Sequence, residues 1–139
     1  MKSELQDILI SKYPDQFRNL KYIECGDGWY DIISRLCYIV HNRLDYLNKN
    51  GKSLNFCWSQ IKEKFGSLRC YCYDADEYIR GAIEMASSIS CITCEVTGDK
   101  GKFRYKKKDD QGNVVNAWIK VLCDKLALEE GYIDVGADS

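Results

Sequence analysis

One apolar stripe constrains this chain more than any other feature. It runs through Trp29, Ile32, Ile33, Leu36, Cys37, Val40, Leu44 and Leu47. That spacing places one face of a long helix against a core. The stripe starts in Glu24-Cys25-Gly26-Asp27-Gly28-Trp29-Tyr30-Asp31, where two glycines bracket an aspartate and a tryptophan follows. Asp27 is expected to cap the first turn, and Asp31 to sit at the positive end of the helix dipole. Asn50-Gly51 is the expected stop, near Asn48, because both residues tolerate the left-handed conformation.

The other segments arrange themselves around this helix. Ser3 to Tyr13 predicts a short helix capped by Ser3 and ended before Pro14, the only proline. An extended connector follows, with a short strand over Leu20–Glu24. Leu54–Lys64 and Leu68–Tyr73 alternate on either side of Phe65-Gly66-Ser67, which predicts a β-hairpin. Asp74 or Asp76 then caps a second amphipathic helix carrying Ile79, Ala82, Ile83, Ala86 and Ile89. Lys102–Lys106 and Val114–Leu122 flank the turn Asp109-Asp110-Gln111-Gly112-Asn113, predicting a second hairpin. A short helix over Cys123–Glu130 completes an α+β fold: a long central helix and shorter helices packed on antiparallel hairpins. The 139 residues suit one domain with one core, and residues 131–139 read as a loose acidic tail.

Charge and composition narrow the function. A net charge of −1 gives no global field to draw nucleic acid. No apolar run is long enough for a membrane span. The first residues carry acids where a secretion signal needs an apolar segment, so the expected location is the cytoplasm. The oligomeric state is not readable. The single histidine, His41, sits on the flank of the central helix with no evident nucleophile beside it, which reads as a structural or surface role. Gly26 and Gly28 open a helix, but Asp27 between them would repel phosphate. Asp27 and Asp31 form an acidic pair that capping explains more simply than metal binding, and a degenerate small enzyme around these two residues is a further functional alternative.

Three constellations stand out as binding features. Trp58, Arg69, Tyr71 and Tyr73 are expected to share one hairpin face, and such residues dominate protein contacts and also stack bases. The alternative is that a helix covers this face. Lys102, Arg104, Lys106, Lys107 and Lys108 interleave with Phe103 and Tyr105, a pattern open to nucleic-acid binding or to a solvated hairpin whose lysines discourage edge pairing. Among eight cysteines, most read as small buried hydrophobes in a chain without a secretion signal. Cys91-x-x-Cys94 has the spacing of two zinc ligands, with Cys123 a third and no fourth at the usual distance. Inert thiols, an incomplete zinc site and a redox pair are the three readings.

Four motifs occur together in order: Glu24–Tyr30, Ile61–Arg69, Cys94-Glu95-Val96-Thr97-Gly98 and Trp118–Asp124. As a set they resemble a family of small proteins of bacteriophages and prophages, over residues 15 to 127. The resemblance implies a phage accessory role in a bacterial host and assigns no reaction. It also implies a zinc knuckle, from a Cys-x-x-Cys-Gly and a later Cys-Asp-x-Cys or Cys-Asp-x-His. Here Thr97 stands where the second cysteine would, and Leu126 where the last ligand would. The leading expectation is a non-enzymatic binder of a host protein, which would inhibit a host factor or an anti-phage defence system. Nucleic-acid binding through Lys102–Lys108 is the alternative.

Overall fold

A computed structural model describes residues 1–135, built as an α+β fold. Helix α1 spans Ser3–Lys12, α2 Tyr30–Lys49, α3 Glu77–Ser90 and α4 Asp124–Glu129. Strands β1 (Cys57–Lys64) and β2 (Ser67–Tyr73) form one antiparallel hairpin; β3 (Lys102–Lys108) and β4 (Val114–Leu122) form another. Among the described residues no helix is long and apolar enough to cross a membrane.

The stripe of α2 buries as its period requires: Ile33, Leu36, Cys37, Val40 and Leu47 all face inward. They meet Leu9, Tyr13 and Phe17 from the N-terminal segment, Trp58, Ile61 and Leu68 from the first hairpin, and Ile79 and Ala86 from α3. Two buried glutamines hold the connector in place. Gln6 accepts from the Ile23 amide at 2.6 Å and donates to the Lys21 carbonyl at 3.0 Å. Gln16 accepts from the Trp58 indole at 3.0 Å and donates to the Cys37 carbonyl at 2.9 Å. Each amide inside the core thus has a partner, which avoids the cost of a bare polar group.

A second, smaller cluster joins Cys94, Leu122, Cys123, Ala127 and Tyr132. It sits between the β3–β4 hairpin and α4. Tyr132 is buried, donates its hydroxyl to the Trp118 carbonyl at 2.6 Å and its amide to the Ala127 carbonyl at 2.8 Å. The Ile133 amide donates to the Lys106 carbonyl at 3.0 Å, and Lys102 pairs with Asp134 at 2.5 Å. Residues 131–134 are therefore a fixed strap across the hairpin, which corrects the expected loose tail. Residues 136–139 of that expected tail lie outside the described residues.

Smaller expectations also shift. Neither Ser3 nor Asp27 caps a helix: α1 and the 3-10 turn Asp27–Trp29 that precedes α2 start without a side-chain cap. Asp76, not Asp74, caps α3, its carboxylate accepting from the Ile79 amide at 2.9 Å. The stop after α2 uses Gly51 at φ +74°, while Asn50 stays at φ −102°. Over Leu20–Glu24 only Glu24 pairs, as a parallel bridge to Lys62.

Candidate functional site

The first hairpin carries an irregularity that decides its faces. Trp58 pairs with Cys72, yet Gln60 pairs with Tyr71, so Ser59 is an extra residue in β1. Paired residues share a face, and one extra residue reverses the phase of everything beyond it. Trp58 therefore lies with Cys70, Cys72, Ile61 and Leu68 on the inner face, fully buried, edge-on to Phe56 at 4.9 Å. This corrects the expectation that Trp58 shares a face with Arg69, Tyr71 and Tyr73. Trp58 is a core residue.

Arg69, Tyr71 and Tyr73 do share the outer face, with Gln60 and Lys62 opposite them on β1. The bridge from Glu24 to Lys62 extends this face by one more row. Ile23 and Cys25 turn inward while Tyr22 and Glu24 turn outward. Tyr71 and Tyr73 face solvent beside Lys62 and Arg69, 42% and 59% exposed, and Tyr22, two residues before the bridge, is 70% exposed. Among the described residues no helix covers them, contrary to the alternative raised by the sequence. Lys62 holds its ammonium 5.8 Å from the Tyr71 ring centre, within cation–π range. Arg69 is steadied by one bond from its Nε to the Ser67 hydroxyl at 2.9 Å. Tyr22 and Lys62 were missed from sequence; the alternation Tyr22-Ile23-Glu24-Cys25 was the available signal.

The Gly26–Trp29 turn packs on the segment from Thr93 to Gly98. Gly28 donates its amide to the Glu95 carbonyl at 2.7 Å, and Gly26 donates to the Glu95 carboxylate at 2.8 Å. The Trp29 indole, fully buried, donates to the Thr93 carbonyl at 2.9 Å. Asp27 accepts from the Lys2 amide at 2.7 Å, and its ion pair with the Lys2 ammonium spans 3.8 Å. Asp31 stands exposed one turn further on. The turn is thus a joint that lets two backbones touch.

Cys91, Cys94 and Cys123 do not converge. Cys91 closes α3 and directs its thiol to the Ser87 carbonyl at 3.4 Å. Cys94 and Cys123 do meet, across Thr97, whose hydroxyl lies 3.9 Å from the Cys123 sulfur. Burial resists ionisation of Cys94, but the Thr97 hydroxyl and the amides of Cys123, Thr97 and Val96 outweigh it and hold this thiol below the usual cysteine range. Leu126, packed against the same cluster, faces it from α4. Two thiols, a hydroxyl and a leucine do not make a closed zinc set. Among the described residues no group of three or more histidine, cysteine or acidic side chains is placed to hold a metal. Cys25, Cys37 and Cys70 sit on the main core, where burial pushes the thiols of Cys25 and Cys37 to about 12 and that of Cys70 up as well. Such thiols are poor nucleophiles.

The basic strand is largely committed to its own module. Arg104 is buried and donates to the Leu122 carbonyl at 3.2 Å and to Asp124 at 2.6 Å. This corrects its place among nucleic-acid-binding candidates. Lys102 pairs with Asp134, Lys106 donates to Asn116, and Lys107 lies 4.5 Å over the Tyr132 ring. Lys108 at the strand end is exposed. His41 is exposed on α2, its ring tilted against Tyr13 at 5.9 Å.

Compared with protein-family models, curated proteins and solved structures, the chain matches none.

Proposed function

We propose that this chain is a non-catalytic binding protein of phage or prophage origin that acts on a protein of its bacterial host, blocking a host factor or a defence system. The phage origin rests on the motif resemblance. The binding mode rests on the outer sheet face. Tyr71 and Tyr73 stand exposed there on paired backbone beside the cations Lys62 and Arg69, and Tyr22 stands exposed two residues before the Glu24 bridge. Tyrosine and arginine on a rigid scaffold supply large contact area at low entropic cost, which is why they dominate hot spots. Lys62, Arg69 and the nearby Lys64 outnumber Glu24 on and beside this face, so the matching partner surface is acidic.

Affinity capture from bacterial lysate, with the wild-type chain beside an Arg69→Ala/Tyr71→Ala double variant, tests this reading. The expected result is a host protein retained by the wild type and released by the variant, with both chains melting alike. Equal recovery by both chains, or capture of nucleic acid alone, would overturn it.

A further inference from the structure

Helices α2 and α3 lie side by side and leave an apolar groove of about 350 Å³ between them on the solvent side. Its walls are Ile32 and Ile39 of α2 and Ala82, Met85 and Ile89 of α3. Met85 is 62% exposed and Ile89 40%. An apolar floor with charges at its edge is the arrangement of an interface core and rim. The identity of the occupant is written on the rim. Asp31 and Arg35 stand there one helical turn apart, a spacing that lets an acid and a base pair on one helix. They do not pair. Arg35 lays its guanidinium 4.5 Å over the Tyr38 ring instead, and among the described residues neither Asp31 nor Arg35 has an ion-pair partner.

We propose that a second copy of this chain fills the groove, forming a two-fold dimer through α2 and α3. In a two-fold interface each patch meets itself, so every contact occurs twice with the roles exchanged. Two α2 helices running antiparallel across the axis bring Asp31 of one copy to Arg35 of the other, and Arg35 to Asp31. An acid and a base one turn apart are complementary to their own rotated image. The flexible, protruding Met85 is the knob for the partner's groove, and Ala82 leaves room for it. The rim charges set the register, while the apolar strip supplies the adhesion. None of the outer sheet-face residues takes part, so this inference and the host-binding reading can fail separately.

Sedimentation of the full chain over a concentration series is the test. A monomer–dimer equilibrium is expected. Met85→Lys should weaken it about tenfold or more without lowering the melting temperature, since the side chain is exposed. Asp31→Arg and Arg35→Asp should each weaken self-association, because each sets like charges against one another. Mixing those two variants should restore dimers, now mixed, since every arginine then faces an aspartate. A change that merely damaged the helix would show no such rescue. A chain that stays monomeric into the millimolar range, or a dimer indifferent to all three substitutions, would overturn the proposal. So would a monomer whose groove takes up the apolar dye anilinonaphthalene sulfonate and loses it on Met85→Lys, which would assign the face to a foreign partner.

Discussion

The amide of Gly28 donates to the carbonyl oxygen of Glu95 at 2.7 Å, and this bond locks the start of the central helix to the second core cluster. A Cβ at position 28 would lie 2.2 Å from the Cys94 carbonyl oxygen and 2.6 Å from that of Glu95. Both neighbours are backbone, so neither can swing aside. Gly28→Ala is therefore expected to cost about 1–3 kcal/mol, the range for forcing extra volume into a packed site. Urea unfolding would measure it. A Gly28→Ala chain as stable as the parent would mean the two backbones do not meet there.

Trp29 and Asp27 lie in the same turn and should behave differently. Trp29 is fully buried and bonds Thr93, so Trp29→Ala is expected to cost about 3–5 kcal/mol. Asp27 caps no helix and only accepts from Lys2 near the surface, so Asp27→Ala should cost less than about 1 kcal/mol. Thermal melts of the two variants side by side would show the gap.

These two residues also mark how far sequence reasoning reached. The helical period exposed α2 at once, because a 3.6-residue repeat needs no knowledge of the partner. The two hairpins were legible from alternation and from turn residues. The role of Gly26 and Gly28 was not, because it depends on Cys94 and Glu95 far along the chain. Asp27 sat where a cap belongs, but the chain enters α2 through a 3-10 turn that leaves its carboxylate to Lys2. Trp58 was assigned to the wrong face because strict alternation does not reveal the extra residue at Ser59. Arg104 read as a surface cation because its partners, the Leu122 carbonyl and Asp124, are set by the fold of the second module. At the candidate site, Arg69, Tyr71 and Tyr73 were visible from sequence; Tyr22 and Lys62 needed the Glu24 bridge.

Asp76 links α3 to α2 and should make stability depend on pH. Partial burial pushes its carboxyl up, but the Ile79 amide and Arg43, 2.9 Å away, outweigh this and hold it below the usual aspartate range. A carboxyl lowered in the folded state adds stability above its unfolded pKa, about 3.9, and loses it as pH falls through the folded value. Asp76→Asn keeps a capping side chain and removes the charge, so it should cost about 1 kcal/mol or less at neutral pH. The difference from wild type should shrink as pH falls below the ordinary aspartate range and through the lowered folded value. Chemical denaturation across that range checks both statements, and a gap that widens in acid would contradict them.

Metal content tests the reading of the knuckle. With only Cys94 and Cys123 meeting, beside Thr97 and Leu126, zinc should be absent or substoichiometric in protein purified without chelator. Elemental analysis decides this, and one zinc per chain lost in Cys94→Ser would contradict it. The same geometry implies a gain. Thr97→Cys with Leu126→Cys would surround one point with four thiols and should bind a zinc ion the parent does not hold.

The last expectation separates the outer sheet face from the basic strand. Arg104 must be left out of any charge-neutralising variant, because it is buried against Leu122 and its loss would loosen the second core. Lys106 and Lys108 can be changed to glutamine near the surface without touching that cluster. If nucleic acid were the target, these substitutions would shrink both the biological effect and the salt dependence of binding, since each phosphate contact adds to the salt slope. If the outer face of the first sheet is the contact, they should leave the effect nearly intact, while Arg69→Ala with Tyr71→Ala should abolish it in a chain that still melts like the parent. Arg69 and Tyr71 are exposed and their loss empties no core, so a stability change cannot account for that outcome. An effect lost only with the lysines would move the site to the second hairpin.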